Sequence, residues 1–399
     1  MKVKILTETQ QRGTFATMLL IYRKLLEKGI DAKIYTTFNS EYETLPSPKK
    51  SKIFGYEKMV NVEDYARQIF EIIYDSKDTI IHIANAMYGI LPIAEKRGAK
   101  TIINIQYWWP TCYFNSMENP HCDCKSFTKI ASCIYHKRNG YFKVLSPLEA
   151  IYAIHKLNKI KEYVSKASII LAVSNIVKDV LISRGFPEDK IRVININAVT
   201  PPIEYVEYRP SDSFTFAYLS YPDEGKGIFQ LLKAFSIALK NNPNMRLKIP
   251  GGLEEPKVIE MIKTLRIEDK VMITKRLPYT EYVKKIREIL VDVDVVVVPT
   301  LIPDTWARVV TESMLSGRPV IVTKGNGGLV EQVSDGIDGF HVNVYDVNEF
   351  AKSLYSISQI PRSKIREMGK IARENIMRKF NSEKIIDQII SLYRELIET

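Results

Sequence analysis

Apolar runs of strand length alternate with amphipathic, helix-length segments from end to end of this chain. Residues 2–6 read as a strand. Residues 15–28 read as a helix, with Phe15, Met18, Leu19, Tyr22, Leu25 and Leu26 on one face and Gly29 as its stop. Further strands are expected at 79–84, 101–106, 168–173 and 192–196, with helices near 62–74, 88–96, 150–166 and 176–184. Strands this continuously apolar, separated by helices, describe a parallel sheet covered on both faces. A turn-rich stretch from Pro201-Pro202 to Ser211-Asp212 breaks the pattern and reads as a linker, because Pro-Pro fits neither a central strand nor a helix interior. The alternation then restarts, with strands at 214–219, 246–249, 271–274, 293–298 and 319–322. Helices are expected at 228–240, 256–265 and 281–290, from about 309, and at 362–379 and 382–396. The pattern predicts an α/β chain of two doubly wound parallel-sheet domains, residues 1–205 and 206–380, facing a central cleft. The closing segment, 381–399, is a candidate to pack back on the first domain. In such sheets ligands lie beyond the carboxyl ends of the strands.

Composition adds an asymmetry. The 399 residues carry a net charge of +11, with 45% apolar and 26% charged positions, which excludes a disordered or fibrous chain. Residues 1–200 hold a net +10 and residues 201–399 a net +1; the window 125–166 alone carries nine bases and two acids. An acidic partner is therefore expected for the N-terminal half: a phosphorylated substrate, an anionic membrane face or nucleic acid. The N-terminus is too briefly apolar for a signal-peptide core, and no apolar run approaches membrane-spanning length. The expected location is cytoplasmic, with the inner membrane surface as a candidate. Cys112, Cys122, Cys124 and Cys133 cluster in one window. A structural metal site, disulfides and ordinary thiols all remain open, since the usual C-x2-C knuckle is missing.

The chemistry concentrates in residues 293–342. A buried strand runs into Pro299 and an irregular loop, and then a helix begins near Ala307 to Val310. The unpaired backbone N–H groups of a helix start receive anions such as a diphosphate. Asp304 and Glu312 stand eight apart, one in the loop and one a turn into the helix, where both can face one ligand. A second glycine-rich turn, Gly325-Asn326-Gly327-Gly328, follows the strand at 319–322. It is not the dinucleotide fingerprint G-x-G-x-x-G, because Val330 holds the last position.

These residues resemble a family: the retaining glycosyltransferases of family 4 (glycosyl transferases group 1), with the GT-B fold of two Rossmann-like domains. That family carries an acid, seven positions and Glu, then G-x-P-V-I, Gly-Gly, Glu and a later Gly. The matching residues are Asp304, Glu312, Gly317, Pro319, Val320, Ile321, Gly327, Gly328, Glu331 and Gly339. Upstream, Lys226-Gly227 resembles the family's phosphate-binding lysine and glycine, and residues 101–114 resemble its strand ending in a histidine and aromatics. Gln11-Arg12-Gly13 sits where the family has a glycine loop near the donor diphosphate. The resemblance implies transfer of a sugar from a nucleotide sugar, UDP- or GDP-linked, with retention of configuration and without a metal or other cofactor.

By the same resemblance Lys226, Asp304 and Glu312 are the candidate catalytic residues. Lys226 would meet the phosphates, Asp304 the sugar hydroxyls and Glu312 the ribose. The candidate donor-binding set adds Gly13, Gln106, Arg276, Leu277, Trp306, Ala307, Arg308 and Val309, with backbone amides from Trp306 to Val309 on the diphosphate. Three departures stand out. The first acid is Asp304 rather than Glu, the Arg that usually precedes the lysine is absent from Leu219-Ser220-Tyr221, and Gln106 replaces a histidine. Arg12, Arg276 or Arg308 would have to supply the missing cation. The basic N-terminal domain implies an anionic acceptor, lipid-linked glycans included, and residues 150–166 are a candidate membrane-surface helix. Two other readings stay open: a GT-B enzyme that glycosylates DNA, for which no nucleic-acid-binding motif is present, and a degenerate nucleotide-sugar binder without turnover. His82 ends a strand and is a candidate to line the cleft, or a core histidine.

Overall fold

A computed structural model describes residues 1–7, 13–37, 42–46, 61–84, 87–114, 124, 126–209 and 211–398. The chain forms two compact units. One comprises the described residues up to 199 together with 382–398, and the other the described residues of 200–381.

The N-terminal unit is built on strands β1 (Lys2–Thr7), β2 (Asp31–Thr36), β3 (Glu43–Thr44), β4 (Thr79–Ala84), β5 (Lys100–Ile105), β6 (Ile169–Ala172) and β7 (Ile191–Val193). They form one parallel sheet in the order β3-β2-β1-β4-β5-β6-β7. β4 is buried at every position, as a strand covered on both faces must be. The last helix, Ser382–Glu398, is part of this unit. Lys24 and Lys28 pair with Glu383 and Asp387 at 2.9 and 2.8 Å, and beneath these exposed pairs the helix sends Tyr393 into the core.

That buried contact settles His82. Its ring is fully buried, with Nε2 2.8 Å from Asn104 Oδ1 and Nδ1 2.5 Å from the Tyr393 hydroxyl. Asn104 Nδ2 donates to Met18 Sδ, so Asn104 Oδ1 is the acceptor and His82 carries its proton on Nε2. His82 is therefore a core residue that joins β4, β5 and the closing helix. Burial lowers its pKa to about 4. A group whose folded pKa is depressed stabilises above its unfolded value, near 6.5, and loses that contribution as pH falls toward 4. Urea denaturation should show about 2 kcal/mol less stability at about pH 4.5 than at pH 7 from this group. His82→Gln should remove that slope; an unchanged slope would place the titration elsewhere.

The C-terminal unit carries β8 (Phe214–Ala217), β9 (Met245–Pro250), β10 (Val271–Thr274), β11 (Val295–Val298), β12 (Val320–Thr323) and β13 (Gly339–Val342), parallel in the order β10-β9-β8-β11-β12-β13. The run of valines in β11 divides by period two. Val295 and Val297 enter the core on one face, and Val296 and Val298 the core on the other. Residues 200–209 are fastened to this unit rather than loose. The buried Arg318 guanidinium donates to the carbonyls of Val206 (2.8 Å) and Leu290 (2.9 Å). Asp294, also buried, accepts from Tyr208 (2.8 Å) and from the Thr215 amide (2.7 Å).

The strand order reverses direction between β8 and β11. At such a switch point the loops leaving the two strands diverge and open a crevice at their carboxyl ends. Lys226 lies on the connection after β8, and Asp304 on the loop after β11.

Candidate active site

The connection after β8 folds into a tight turn, Glu224–Lys226, capped by the Asp223 side chain, which accepts from the Lys226 amide at 2.8 Å. Gly227 follows with φ +75° and opens the helix Ile228–Leu239. A Cβ at Gly227 would stand 1.9 Å from the Pro299 carbonyl oxygen, so only glycine lets the turn press on the loop after β11. The Leu301 amide donates to the Gly225 carbonyl at 2.9 Å, a second fastening between the two. So held, Lys226 Nζ reaches Asp304 Oδ2 at 2.6 Å.

The loop bearing Asp304 is held from the other side by the glycine-rich turn after β12. Buried Asn326 donates to the carbonyls of Thr300 (2.8 Å) and Ile302 (3.0 Å) and accepts from the Asp304 amide (3.0 Å). Gly327 and Gly328 lie against the backbone of Asp304 and Thr305, where a Cβ would meet carbonyl oxygens at 2.2 and 2.1 Å. These two glycines are packing requirements of the loop.

Beyond the loop the helix Arg308–Leu315 begins. Two of the four amides expected to face an anion are engaged within the unit. Trp306 N–H donates to Asp304 Oδ1 at 3.2 Å, and Ala307 N–H to Gln332 Oε1 at 3.1 Å. Arg308 and Val309 occupy the first turn proper, whose N–H groups have no intrahelical acceptor. Trp306 is buried, edge-on to Phe380 at 4.7 Å, and serves as a core residue.

Glu312 is also buried, at 2% exposure. Its Oε1 accepts from the Tyr279 hydroxyl at 3.0 Å and lies 3.6 Å from the Arg308 guanidinium, which also donates to Tyr279 and stacks 4.4 Å over its ring. Burial raises the Glu312 pKa, outweighing Arg308 and the tyrosines, which favour the charged form. Burial likewise raises the Tyr279 pKa, aided by Glu312. Arg276, three residues before Tyr279, is exposed, and its guanidinium lies 4.8 Å from the ring of Tyr221. Tyr221 belongs to the very segment that lacks the expected arginine. Leu277 is half-buried beside it.

Gly13 and Gln106 belong to the N-terminal unit. Gly13 is the first residue of the helix after β1, and Gln106 is buried just past β5. Gln11, Arg12 and Cys122 lie outside the described residues. Of the other cysteines, Cys112 is buried and Cys124 and Cys133 are half-buried. Among the described residues no three His, Cys, Asp or Glu side chains are grouped to hold a metal ion.

Two parallel-sheet α/β units, with lysine, acid and a helix start gathered at the switch point of the second, define a GT-B architecture. Residues 206–375 match the family Glycosyl transferases group 1. The chain is similar to N-acetyl-alpha-D-glucosaminyl L-malate synthase of Bacillus anthracis, 25% identical over 172 residues, which cover 43% of each protein. It is also similar to the capsular polysaccharide biosynthesis glycosyltransferase CapM of Staphylococcus aureus, 24% identical over 58% of this chain and 63% of that protein. The matches thus span less than two thirds of these relatives. Among solved structures, a glycosyltransferase from Rickettsia africae superposes over 100% of this chain and 99% of its own, with TM-score 0.69 and 17% identity. Anabaena Alr3699/HepE, in complex with UDP and glucose, does so over 98% and 99%, with TM-score 0.67 and 14% identity. Both share the fold.

Proposed function

We propose that the protein is a retaining glycosyltransferase that moves a sugar from a nucleotide-sugar donor to an anionic or lipid-linked glycan acceptor. The observation that carries this reading is the Lys226–Asp304 pair at the start of the helix Arg308–Leu315. Breaking a sugar–phosphate bond leaves growing negative charge on the diphosphate, and a fixed cation beside a helix N-terminus is complementary to that charge. Lys226 and the helix start supply this stabilisation in place of a metal ion. Arg276 is the second cation, since Arg308 is occupied by Glu312 and Tyr279 while Arg276 is exposed over Tyr221. Asp304, paired with Lys226, is placed to accept from a sugar hydroxyl, and Glu312 from the ribose once Tyr279 yields. The UDP in the Anabaena structures favours a UDP-linked donor.

On the acceptor side, the N-terminal unit exposes large apolar side chains in one stretch: Phe142 (66%), Val144 (78%), Leu145, Leu148 (66%) and Ile151. Lys137 and Lys143 lie over the rings of Phe114 and Tyr135 beside it. Within the helix Ser146–Val164, Ile160 is buried and Ile154 and Leu157 are half-buried. Residues 142–151, rather than the later turns expected from sequence, are therefore the face that suits an anionic membrane surface. Among the described residues no helix is long and apolar enough to cross a membrane.

The test is incubation with a panel of UDP-, GDP- and ADP-sugars in the presence of a chelator. At least one donor should release its nucleoside diphosphate at an undiminished rate without metal. Tight donor binding with no release by any of them would instead make the protein a binder.

A further inference from the structure

A cavity of about 1270 Å³ opens in the N-terminal unit, larger than the roughly 300–1,000 Å³ of most small-molecule pockets. One wall is the helix Ser146–Val164 and the residues just after it. Tyr152, His155, Lys156, Lys159, Glu162 and Lys166 line it at spacings of three and four, hence from one face. At about 1.5 Å per residue this row runs for roughly 20 Å. The far wall includes Pro92 and Lys96. One end is formed by Tyr88 and Tyr113, on the connections that leave β4 and β5, so it opens at the carboxyl edge of the sheet.

The lining holds seven Lys or Arg against two acids, Glu63 and Glu162. Four of the seven are met locally: Arg67 pairs with Glu63 at 3.0 Å, Arg97 with Glu71 at 2.7 Å, Lys166 with Glu95 and Glu162 at 3.7 and 3.8 Å, and Arg138 with Glu149. Lys156 and Lys159 rest over aromatic rings, 5.6 Å from the centroid of Tyr113 and 5.2 Å from that of Tyr163. A ring attracts and orients an ammonium group. Tyrosine faces alternating with ammonium groups along a groove complement a ligand with flat, weakly apolar faces and repeated anionic substituents. Sugar rings bearing carboxylate or phosphate groups have that character. A bilayer would meet a protruding apolar surface rather than a concave charged one.

We infer that this groove binds an acidic oligosaccharide, its anionic groups on Lys156 and Lys159 and its rings against Tyr152 and Tyr113. Its role as the seat of the acceptor rests on the transferase reading above; the binding itself does not.

Calorimetric titration of the full chain at low salt tests it, using tetragalacturonate and a singly phosphorylated maltotetraose, with plain maltotetraose as the neutral probe. At least one acidic probe should bind tenfold or more tighter than the neutral one and weaken as salt is raised. Lys156→Glu with Lys159→Glu should reduce that binding at least tenfold while leaving the circular dichroism spectrum unchanged, and Tyr152→Ala should weaken acidic and neutral probes alike. Equal affinity for acidic and neutral probes, or no effect of the charge reversal, would overturn the inference. So would phosphatidylglycerol vesicles or oligothymidylate being the only ligands that the reversal abolishes. If acid binding fails while a nucleotide sugar is still turned over, only the groove assignment falls. If acid binding holds and no nucleotide sugar is turned over, the transferase reading falls and the groove stands.

Discussion

Lys226→Ala should lower the rate of sugar transfer by at least about 100-fold, roughly 2.7 kcal/mol of barrier, with most of the loss in kcat. The ammonium lies 2.6 Å from Asp304, so its position is fixed by the protein. Its attraction for the diphosphate grows as the sugar departs, which is the condition for a contact to act on kcat rather than on ground-state binding. The fold should tolerate the change. The pair is partly exposed, with side-chain accessibilities of 29% and 15%, and such pairs contribute about 1 kcal/mol or less. Wild-type-like denaturation together with a crippled rate would therefore identify Lys226 as a site residue. Lys226→Ala and Glu312→Ala both within about twofold of wild type, less than about 0.5 kcal/mol, would displace the site.

Gly227→Ala should be costly in both stability and activity. A left-handed alanine costs about 1–2 kcal/mol on its own. Here the new methyl would also stand 1.9 Å from the Pro299 carbonyl oxygen, so the turn and the loop after β11 must part, for a total of about 3 kcal/mol or more. Parting them separates Lys226 from Asp304, so the rate should fall with the stability. Gly325→Ala is the control. Its φ is +70°, yet nothing lies within 4 Å of its Cβ position, so it should cost only about 1 kcal/mol by urea denaturation. Equal losses for the two would mean that backbone strain alone, and not the close approach to Pro299, is what glycine relieves.

The strands of the inner sheets were legible because their burial is two-sided. The apolar run 79–84 coincides with β4, and the valines of β11 leave no alternative to a covered strand. β2, Asp31–Thr36, is not legible as an apolar run because Asp31 and Lys33 alternate with its buried residues. The helix Phe127–Lys137 carries little signal since, of its residues, only Ile130 and Ile134 are buried, too few to mark a face.

The placement of the candidate site residues was legible where it follows chain order. Lys226, Asp304, Arg308 and Glu312 lie on or beside the turn and helix start that the strand–loop–helix pattern marks. Their supports were not legible. Asn326, Gln332 and Tyr279 reach the loop and Glu312 across 22 to 33 positions of sequence, and nothing in a single chain ties an amide to a carbonyl that far away. Asn326 alone had a signal, its place among three glycines. A helix start usually leaves amides such as those of Trp306 and Ala307 available, whereas here Asp304 and Gln332 take them up. The excess charge of the N-terminal half was legible as a number, and the fold gives part of it a shape, one row of Lys156, Lys159 and Lys166 along a groove.

The most direct measurement of the central claim is proton NMR of the reaction with whichever nucleotide sugar the panel selects. The transferred sugar should appear in the product with the anomeric configuration it had in the donor, and Lys226→Ala should abolish that signal. A product of opposite configuration would contradict retention. A donor that binds yet yields neither product nor free nucleoside diphosphate would contradict the transferase itself.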